Sequence, residues 1–84
     1  MNKKNDYQQH IKEEEINFCN NVKKLCKRNN IELSMLAKLA KISETDVNRI
    51  ETNSVMEIDV NEILKICVYF SVTLTDIFRR NMDF

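Results

Sequence analysis

Apolar residues recur at intervals of three and four along most of this 84-residue chain, which is the spacing of helices with one buried face. Helix one is predicted from about His10 to Asn29, and its buried face should carry Phe18, Val22 and Leu25. Residues 1–9 are polar and lack such a stripe, so we expect them to form a flexible N-terminal arm. The rest of the chain, residues 10–84, is predicted to be a single domain.

Two short helical patterns follow, at 33–40 and after Ser43, and they predict two helices joined by a sharp turn. Ser43 is a favoured N-cap residue, and Asp46 three positions later completes the sequence of a capping box. The second helix should bury one side only. Its other side carries four hydrogen-bonding side chains: Glu44, Thr45, Asn48 and Arg49. Helices use such side chains to read base edges in the major groove, so 33–52 is a predicted helix-turn-helix unit with a recognition helix.

Two further capping boxes predict helices four and five within residues 59–80. They consist of Asp59 with Glu62 and of Thr73 with Asp76. One face of helix four is predicted to lie in the core, with these residues: Val60, Ile63, Leu64, Cys67 and Phe70. Two apolar residues off that stripe are expected on a partner surface: Ile66 and Tyr69.

The C-terminal end holds more apolar side chains than a small helical core requires, which predicts a contact between two copies of the chain. The residues predicted for this dimer interface are Leu74, Ile77, Phe78, Met82 and Phe84.

Composition favours an all-α fold, because the chain has no Gly, no Pro and few hairpin signals. Without Gly, other residues must occupy left-handed turn positions, and we expect Asn30, Lys41 and Asn53 there. The chain has 13 basic and 13 acidic residues, so its formal charge of zero argues against a sequence-independent nucleic-acid binder but not against a specific one.

Other function classes find little support in the sequence. It has no run of about 18 apolar residues and no secretory segment, so we expect a cytoplasmic protein without a membrane partner. Its three cysteines lack metal-site spacing and are expected to be buried, reduced thiols: Cys19, Cys26 and Cys67. With a single histidine, His10, and no phosphate loop, we expect no enzyme activity, no metal, no cofactor and no small-molecule substrate.

The order of these elements resembles the lambda-repressor-like, Cro/cI-type helix-turn-helix domain, or XRE family, over roughly residues 16–78. The matching positions are Leu36-Ala37-x-Leu39-Ala40-x-Ile42-Ser43, Val47-x-Arg49-Ile50-Glu51, Ile63-Leu64-x-Ile66-Cys67 and Phe70-x-Val72-Thr73-Leu74-x-Asp76-Ile77-Phe78. The resemblance implies a five-helix domain that binds operator DNA, commonly as a two-fold symmetric dimer.

Carried over by position, the resemblance places Ser43, Glu44, Thr45 and Asn48 at the major groove, Arg49 at a base or phosphate, and Ser34 at the DNA backbone. Lys38 and Asn53 complete the candidate DNA-binding set. The helix-one Arg that often pairs with the Glu ending the recognition helix is Cys26 here, so we expect Glu51 to find another partner or to be solvated.

Two functional hypotheses follow. The first is a sequence-specific DNA-binding transcriptional regulator, a repressor that acts as a homodimer on a two-fold symmetric operator of double-stranded DNA. The second is a protein-interaction module of the same fold, an anti-repressor or regulator partner with little DNA affinity. Acidic residues in the recognition helix and a following loop, residues 52–58, without Lys or Arg motivate this alternative.

Overall fold

The computed structural model describes residues 3–80, with side chains at 13–55 and 57–80, and it is all-helical over that range. The order is α1 (Lys3–Arg28), a 3₁₀ turn η1 (Leu33–Met35), α2 (Leu36–Leu39), α3 (Glu44–Glu51), a 3₁₀ turn η2 (Val55–Glu57), α4 (Val60–Phe70) and α5 (Leu74–Ile77). The predicted all-α, five-helix fold is therefore confirmed.

Helix α1 begins at Lys3, not near His10 as predicted. Residues 1–9 lack an apolar stripe, and for that reason no helix was predicted there. A stripe reports burial, whereas residues 3–9 contain no Gly or Pro that would end a helix. Residues 3–9 of the predicted arm are thus helical, and the 26 residues of α1 span about 39 Å.

The core receives at least one fully buried side chain from each helix. These residues are Phe18 of α1, Leu36 of α2, Ile50 of α3, Ile66 of α4 and Ile77 of α5. Val22 and Leu25 of the predicted α1 face are also buried. Because every helix is fixed to the same cluster, the short helices α2, α3 and α5 depend on tertiary packing and not on their own helical propensity.

The buried face of α4 is rotated relative to the prediction. Ile63 and Cys67 are buried as expected, but Val60 and Leu64 are exposed. Ile66, which was predicted to lie on a partner surface, is fully buried. Eight of the 11 residues of α4 are apolar, so its apolar side is wider than the part that is buried, and packing decides which of these residues enter the core.

Each of the three N-caps is formed, but none of the capping boxes is complete. Ser43 Oγ accepts a hydrogen bond from Asp46 N (3.1 Å), and Thr73 Oγ1 accepts one from Asp76 N (3.0 Å). Asp59 Oδ1 accepts from Asn61 N (2.7 Å). In each helix the carboxylate expected to return to its cap pairs instead with a basic residue one turn later: Asp46 with Arg49, Glu62 with Lys65, and Asp76 with Arg79.

Left-handed residues lie at or just beyond the C-terminal ends of α1, α2, α3 and α4. The predicted positions Asn30, Lys41 and Asn53 all have positive φ, between 57° and 60°. A fourth position, Ser71 (φ 56°), was not predicted. At Ser71 the amide of Val72 donates to Cys67 O (3.0 Å), which closes α4 in the manner that Gly usually permits.

The predicted dimer residues of α5 belong largely to the core of the chain itself. Ile77 is fully buried, and Phe78 stacks on Phe18 with ring centroids 5.1 Å apart. Leu74 is exposed, while Met82 and Phe84 lie outside the described residues. The sequence suggested that these apolar side chains were surplus to the core. The spacing of apolar residues does not show how deeply α5 is buried against α1.

A buried asparagine fastens that junction. Asn21 Nδ2 of α1 donates to the carbonyl oxygens of Ile77 and Arg79, both at 2.8 Å. These carbonyls lie at the end of α5, where a helix leaves acceptors unpaired. Asn21 therefore supplies the C-terminal cap of a four-residue helix from a distant part of the chain, a role that no local sequence signal announces.

The three cysteines are free and buried, as predicted. Burial raises the pKa of Cys19 to about 11 and that of Cys26 to about 11, and it also raises the pKa of Cys67. The thiols are therefore protonated at neutral pH and act as small apolar core groups.

Candidate nucleic-acid interface

The recognition helix α3 has one buried side and one outward side. Val47 and Ile50 anchor it in the core, while Glu44, Thr45 and Asn48 are exposed along its outer surface. Three hydrogen-bonding side chains are thus presented on a helix whose own packing holds it in place. This is the arrangement that the spacing of polar residues predicted, and it matches the way a helix is offered to the major groove.

The start of α3 is held by α4. Ser43 N donates to Glu62 Oε1 (3.1 Å), so the carboxylate expected to cap its own helix binds the cap residue of the recognition helix instead. Glu62 also pairs with Lys65 Nζ (3.2 Å), which in turn contacts the carbonyl oxygen of Lys41 (3.4 Å). These contacts connect α4 to both sides of the turn between α2 and α3, and so help to fix the angle of the two helices.

Arg49 differs from the other predicted readers. Its Nη1 donates to the buried carboxylate of Asp46 (2.8 Å) and to Glu57 O (3.1 Å), and its Nε lies 3.5 Å from Glu57 Oε2. The side chain is only partly exposed, because it lies between α3 and η2. Helical spacing placed Arg49 in the outward row, but it does not show that the guanidinium is engaged by Asp46 one turn earlier and by Glu57 of η2. In this geometry Arg49 ties the recognition helix to the loop that follows.

The C-terminal end of α3 is contacted by α1. Lys23 Nζ lies 3.4 Å from Glu51 O and 3.5 Å from Asn53 Oδ1. A helix-one cation therefore does approach this end, although it comes from Lys23 and not from the position of Cys26, and it meets the backbone of Glu51. The positive charge also suits the C-terminal end of a helix. Lys23 was not among the predicted site residues. It belongs to a run of basic residues near the end of α1, and nothing local distinguishes it from the others in that run.

The helix-turn-helix unit brings most of the other predicted residues together. Ser34 lines one shallow depression with Glu44 and Asn48, and another with Lys38 and Glu44. Ser43 adjoins them, but its hydroxyl is used in the N-cap, and Asn53 lies at the opposite end of α3. The continuous candidate surface is therefore formed by Ser34, Lys38, Glu44, Thr45 and Asn48, with Asn53 at its edge.

The exposed charges in and beside this surface are net negative. Lys38 contributes a positive charge beside Ser34, while the exposed Glu44 and Glu51 contribute negative charges on α3. In the described part of the chain no group of three or more His, Cys, Asp or Glu residues could hold a metal ion. No helix among the described residues is long and apolar enough to cross a membrane.

Comparison with known protein families agrees with this geometry. The family model of the Cro/C1-type HTH DNA-binding domain matches residues 21–83, which are 63 of the 84 residues. The chain matches no curated protein and no solved structure. The matched segment contains α2, α3, α4 and α5, and it includes Ser43, the N-cap of the recognition helix. The chain thus belongs to the Cro/C1-type helix-turn-helix family of DNA-binding transcription regulators.

Proposed function

We propose that the chain is a sequence-specific transcriptional repressor that binds a two-fold symmetric operator as a homodimer. The observation that carries this proposal is the outward row of α3, where Glu44, Thr45 and Asn48 are exposed on a helix fixed by Val47 and Ile50. Repression would follow from occupancy, since a protein bound across two half-sites one helical turn apart excludes other proteins from that DNA.

The outward side chains suggest which base edges are read. Asn48 pairs well with adenine through N6 and N7, and Glu44 can accept a hydrogen bond from the amino group of cytosine. The methyl group of Thr45 suits contact with the methyl group of thymine. In this proposal Arg49 acts as a positioning residue, because its guanidinium is already engaged with Asp46 and Glu57.

Contacts to the DNA backbone are few. Ser34 and Lys38 are exposed beside α3, and Asn53 borders its end, so Lys38 is the only cation of the candidate set besides the engaged Arg49. Each phosphate neutralised by a protein lowers log K by about 0.9 per unit of log salt concentration. With one or two neutralised phosphates per protomer, a dimer should show a slope of about −2 to −4. We therefore expect modest salt dependence and specificity that rests on base contacts.

Selection of sites from random duplex DNA, at two salt concentrations, tests the proposal. The expected result is enrichment of a two-fold symmetric site that Asn48→Ala no longer selects. Asn20→Ala is the matched control, because Asn20 is an exposed asparagine of α1 that does not belong to the candidate DNA-binding set. The control should select the same site as the unaltered chain.

The same experiment separates the parts of the proposal. A single half-site without symmetry would contradict homodimeric binding while leaving specific DNA recognition in place. No enrichment from folded protein would contradict the DNA-reading proposal altogether. A reporter gene with the selected site between promoter and coding region would then be silenced if the protein is a repressor, and activated expression would contradict that role.

The second candidate is a protein-interaction module of the same fold. The observation in its favour is the charge of the outward α3 surface, where Glu44 and Glu51 are exposed and would face phosphate groups on DNA. Glu44→Gln and Glu51→Gln sharpen the choice between the two candidates. If these carboxylates face DNA, the double variant should bind DNA more tightly and with a loss of base preference at the position that Glu44 reads. If they face a protein partner, DNA binding should be absent with or without them.

A further inference from the structure

An apolar groove of about 590 Å³ lies between the end of α2 and the outer surface of α4. Four large side chains line it and are exposed to water: Leu39 (37%), Leu64 (42%), Val68 (78%) and Tyr69 (39%). Of the α4 residues in the groove, Leu64 was predicted to lie in the core and Tyr69 on a partner surface. Exposed apolar patches with a polar rim often mark the places where a protein binds a partner or ligand.

The charges that border the groove have one sign. Lys41 and Lys65 line it, and no Asp or Glu does. Lys65 is paired with Glu62, which is largely shielded, yet the Lys65 side chain is still 52% exposed. If two copies paired through this groove about a two-fold axis, each copy would bring Lys41 and Lys65 and no lining carboxylate into the contact, because such an axis places the same patch on both sides. An occupant with carboxylates avoids that excess of positive charge and pairs with the lysines.

We propose that this α2–α4 groove binds an amphipathic helix of another protein, with apolar side chains flanked by Asp or Glu. The lined part of α4, residues 61–69, is about 12 Å long, which is the length of about two helical turns. Two or three apolar residues spaced by three or four would enter between Leu39 and Val68, as in other helix-in-groove complexes. Their flanking carboxylates would meet Lys41 and Lys65.

The groove adjoins the candidate DNA surface at Leu39, which lines both the groove and the depression at Ser34 and Lys38, but the two differ in their other residues. None of the groove's lining residues belongs to the set proposed to contact DNA. Ser34 of η1 and Lys38 of α2, which belong to that set, line a different depression. A DNA-bound protomer would therefore keep the groove open. The partner would approach the helix-turn-helix unit from α4, where Glu62 and Lys65 bind the turn. This inference does not depend on DNA binding and can be tested without it.

The test uses the full 84-residue chain, labelled with ¹⁵N, and three synthetic 14-residue helical peptides as probes. The first has Leu at helical spacing flanked by Glu, the second has Lys in place of each Glu, and the third has Ser in place of each Leu. We expect the acidic peptide to shift the amide signals of residues 39–41 and 61–69. The basic peptide should bind about fivefold more weakly, and the Ser peptide about tenfold more weakly.

Variants of the groove provide the second arm. Leu64→Ser with Val68→Ser should weaken binding of the acidic peptide about tenfold, since both side chains are exposed and their loss should leave the fold intact. Leu74→Ser is the matched control, because Leu74 is similarly exposed but lies on α5 outside the groove. The double substitution Lys41→Asn with Lys65→Gln should abolish the preference for the acidic peptide. Asn is chosen at position 41 because it tolerates the left-handed backbone there.

Three results would overturn the inference. Shifts confined to other parts of the chain would place the site elsewhere. Equal binding of acidic and basic peptides would remove the charge argument. Concentration-dependent shifts of the same residues without any peptide would show that a second copy occupies the groove. The Leu64→Ser, Val68→Ser variant should select the same DNA site as the unaltered chain. Failure of the DNA-binding proposal and failure of the groove proposal can therefore be told apart.

Discussion

Residues 43–49 and 73–79 share one local pattern but serve different purposes. Each begins with a hydroxyl N-cap, continues with Thr and Asp at the third and fourth positions, has a buried Val or Ile at the fifth, and ends with Arg at the seventh. Each cap bonds the amide of its Asp, and each Asp pairs with its Arg. The two stretches therefore start helices α3 and α5 in the same way.

The second and sixth positions distinguish the two helices. In α3 these are Glu44 and Asn48, which are exposed and polar. In α5 they are Leu74 and Phe78, and Phe78 stacks on Phe18 in the core. The sixth position thus makes the main difference, since Asn48 is exposed while Phe78 packs against α1, and Leu74 at the second position stays exposed.

The shared ion pair also differs between the two helices. The side chains of Asp46 and Arg49 are 6% and 30% exposed, and Arg49 reaches Glu57. Those of Asp76 and Arg79 are 36% and 63% exposed. The same residues at the same spacing therefore brace α3 internally but form a solvated surface pair on α5. Local sequence determines that the pair forms, and tertiary surroundings determine how much it stabilises.

The largest effect is expected where α5 is held by the distant Asn21. Asn21→Ala leaves the carbonyls of Ile77 and Arg79 without their donor, and we expect a loss of about 2–4 kcal/mol in the free energy of unfolding. Urea unfolding followed by circular dichroism measures this loss. Asn20→Ala, one position earlier and exposed, should change stability by less than about 0.5 kcal/mol. Equal effects of the two substitutions would contradict the assigned role of Asn21.

A smaller effect should separate the two ion pairs. Asp46→Ala removes a buried acceptor from Arg49, and we expect a cost of about 2 kcal/mol in unfolding free energy. Asp76→Ala makes the same change at the same helix position but removes an exposed pair, so its cost should be below about 0.5 kcal/mol. Both are measured by urea unfolding at low and high salt. A larger loss for Asp76→Ala would show that α3 is not braced as described.

The smallest effect is expected at the end of α3. Lys23 approaches Glu51 O and Asn53 Oδ1 only at 3.4 and 3.5 Å, and it does so near the surface. Lys23→Ala should therefore change unfolding free energy by less than about 0.5 kcal/mol, in contrast to Asn21→Ala at the end of α5. Thermal unfolding of the two variants side by side provides the measurement. A cost near that of Asn21→Ala would mean that both helix ends are held equally strongly.

Local signals in the sequence predicted much of this fold. Ser43, Asp59 and Thr73 were identified as helix starts, and Asn30, Lys41 and Asn53 as left-handed positions, because these depend on neighbouring residues. The outward placement of Glu44, Thr45 and Asn48 followed from helical periodicity alone.

The remaining features depend on parts of the chain that are distant in sequence. Glu62 binds Ser43 across 19 positions and Asn21 binds Ile77 across 56, so no local window contains both partners. The buried face of α4 was assigned incorrectly because the apolar side of the helix is wider than the part that enters the core, and Leu64 was placed in the core although it lines an exposed groove. The start of α1 was missed because a helix can form without an apolar stripe.

The claim that α3 is the helix that reads DNA is tested most directly at Asn48 and Phe78, which occupy the sixth position of the pattern shared by α3 and α5. DNA affinity and stability are measured together for substitutions of these two residues. Asn48→Ala should lower affinity for the selected DNA site about tenfold or more, by fluorescence anisotropy, with its unfolding temperature unchanged. Phe78→Ala should lose about 2 kcal/mol of unfolding free energy, while the affinity of the folded protein for the site is unchanged. Unchanged affinity in Asn48→Ala, or weakened affinity only in Phe78→Ala, would contradict the assignment of α3 as the helix that reads DNA.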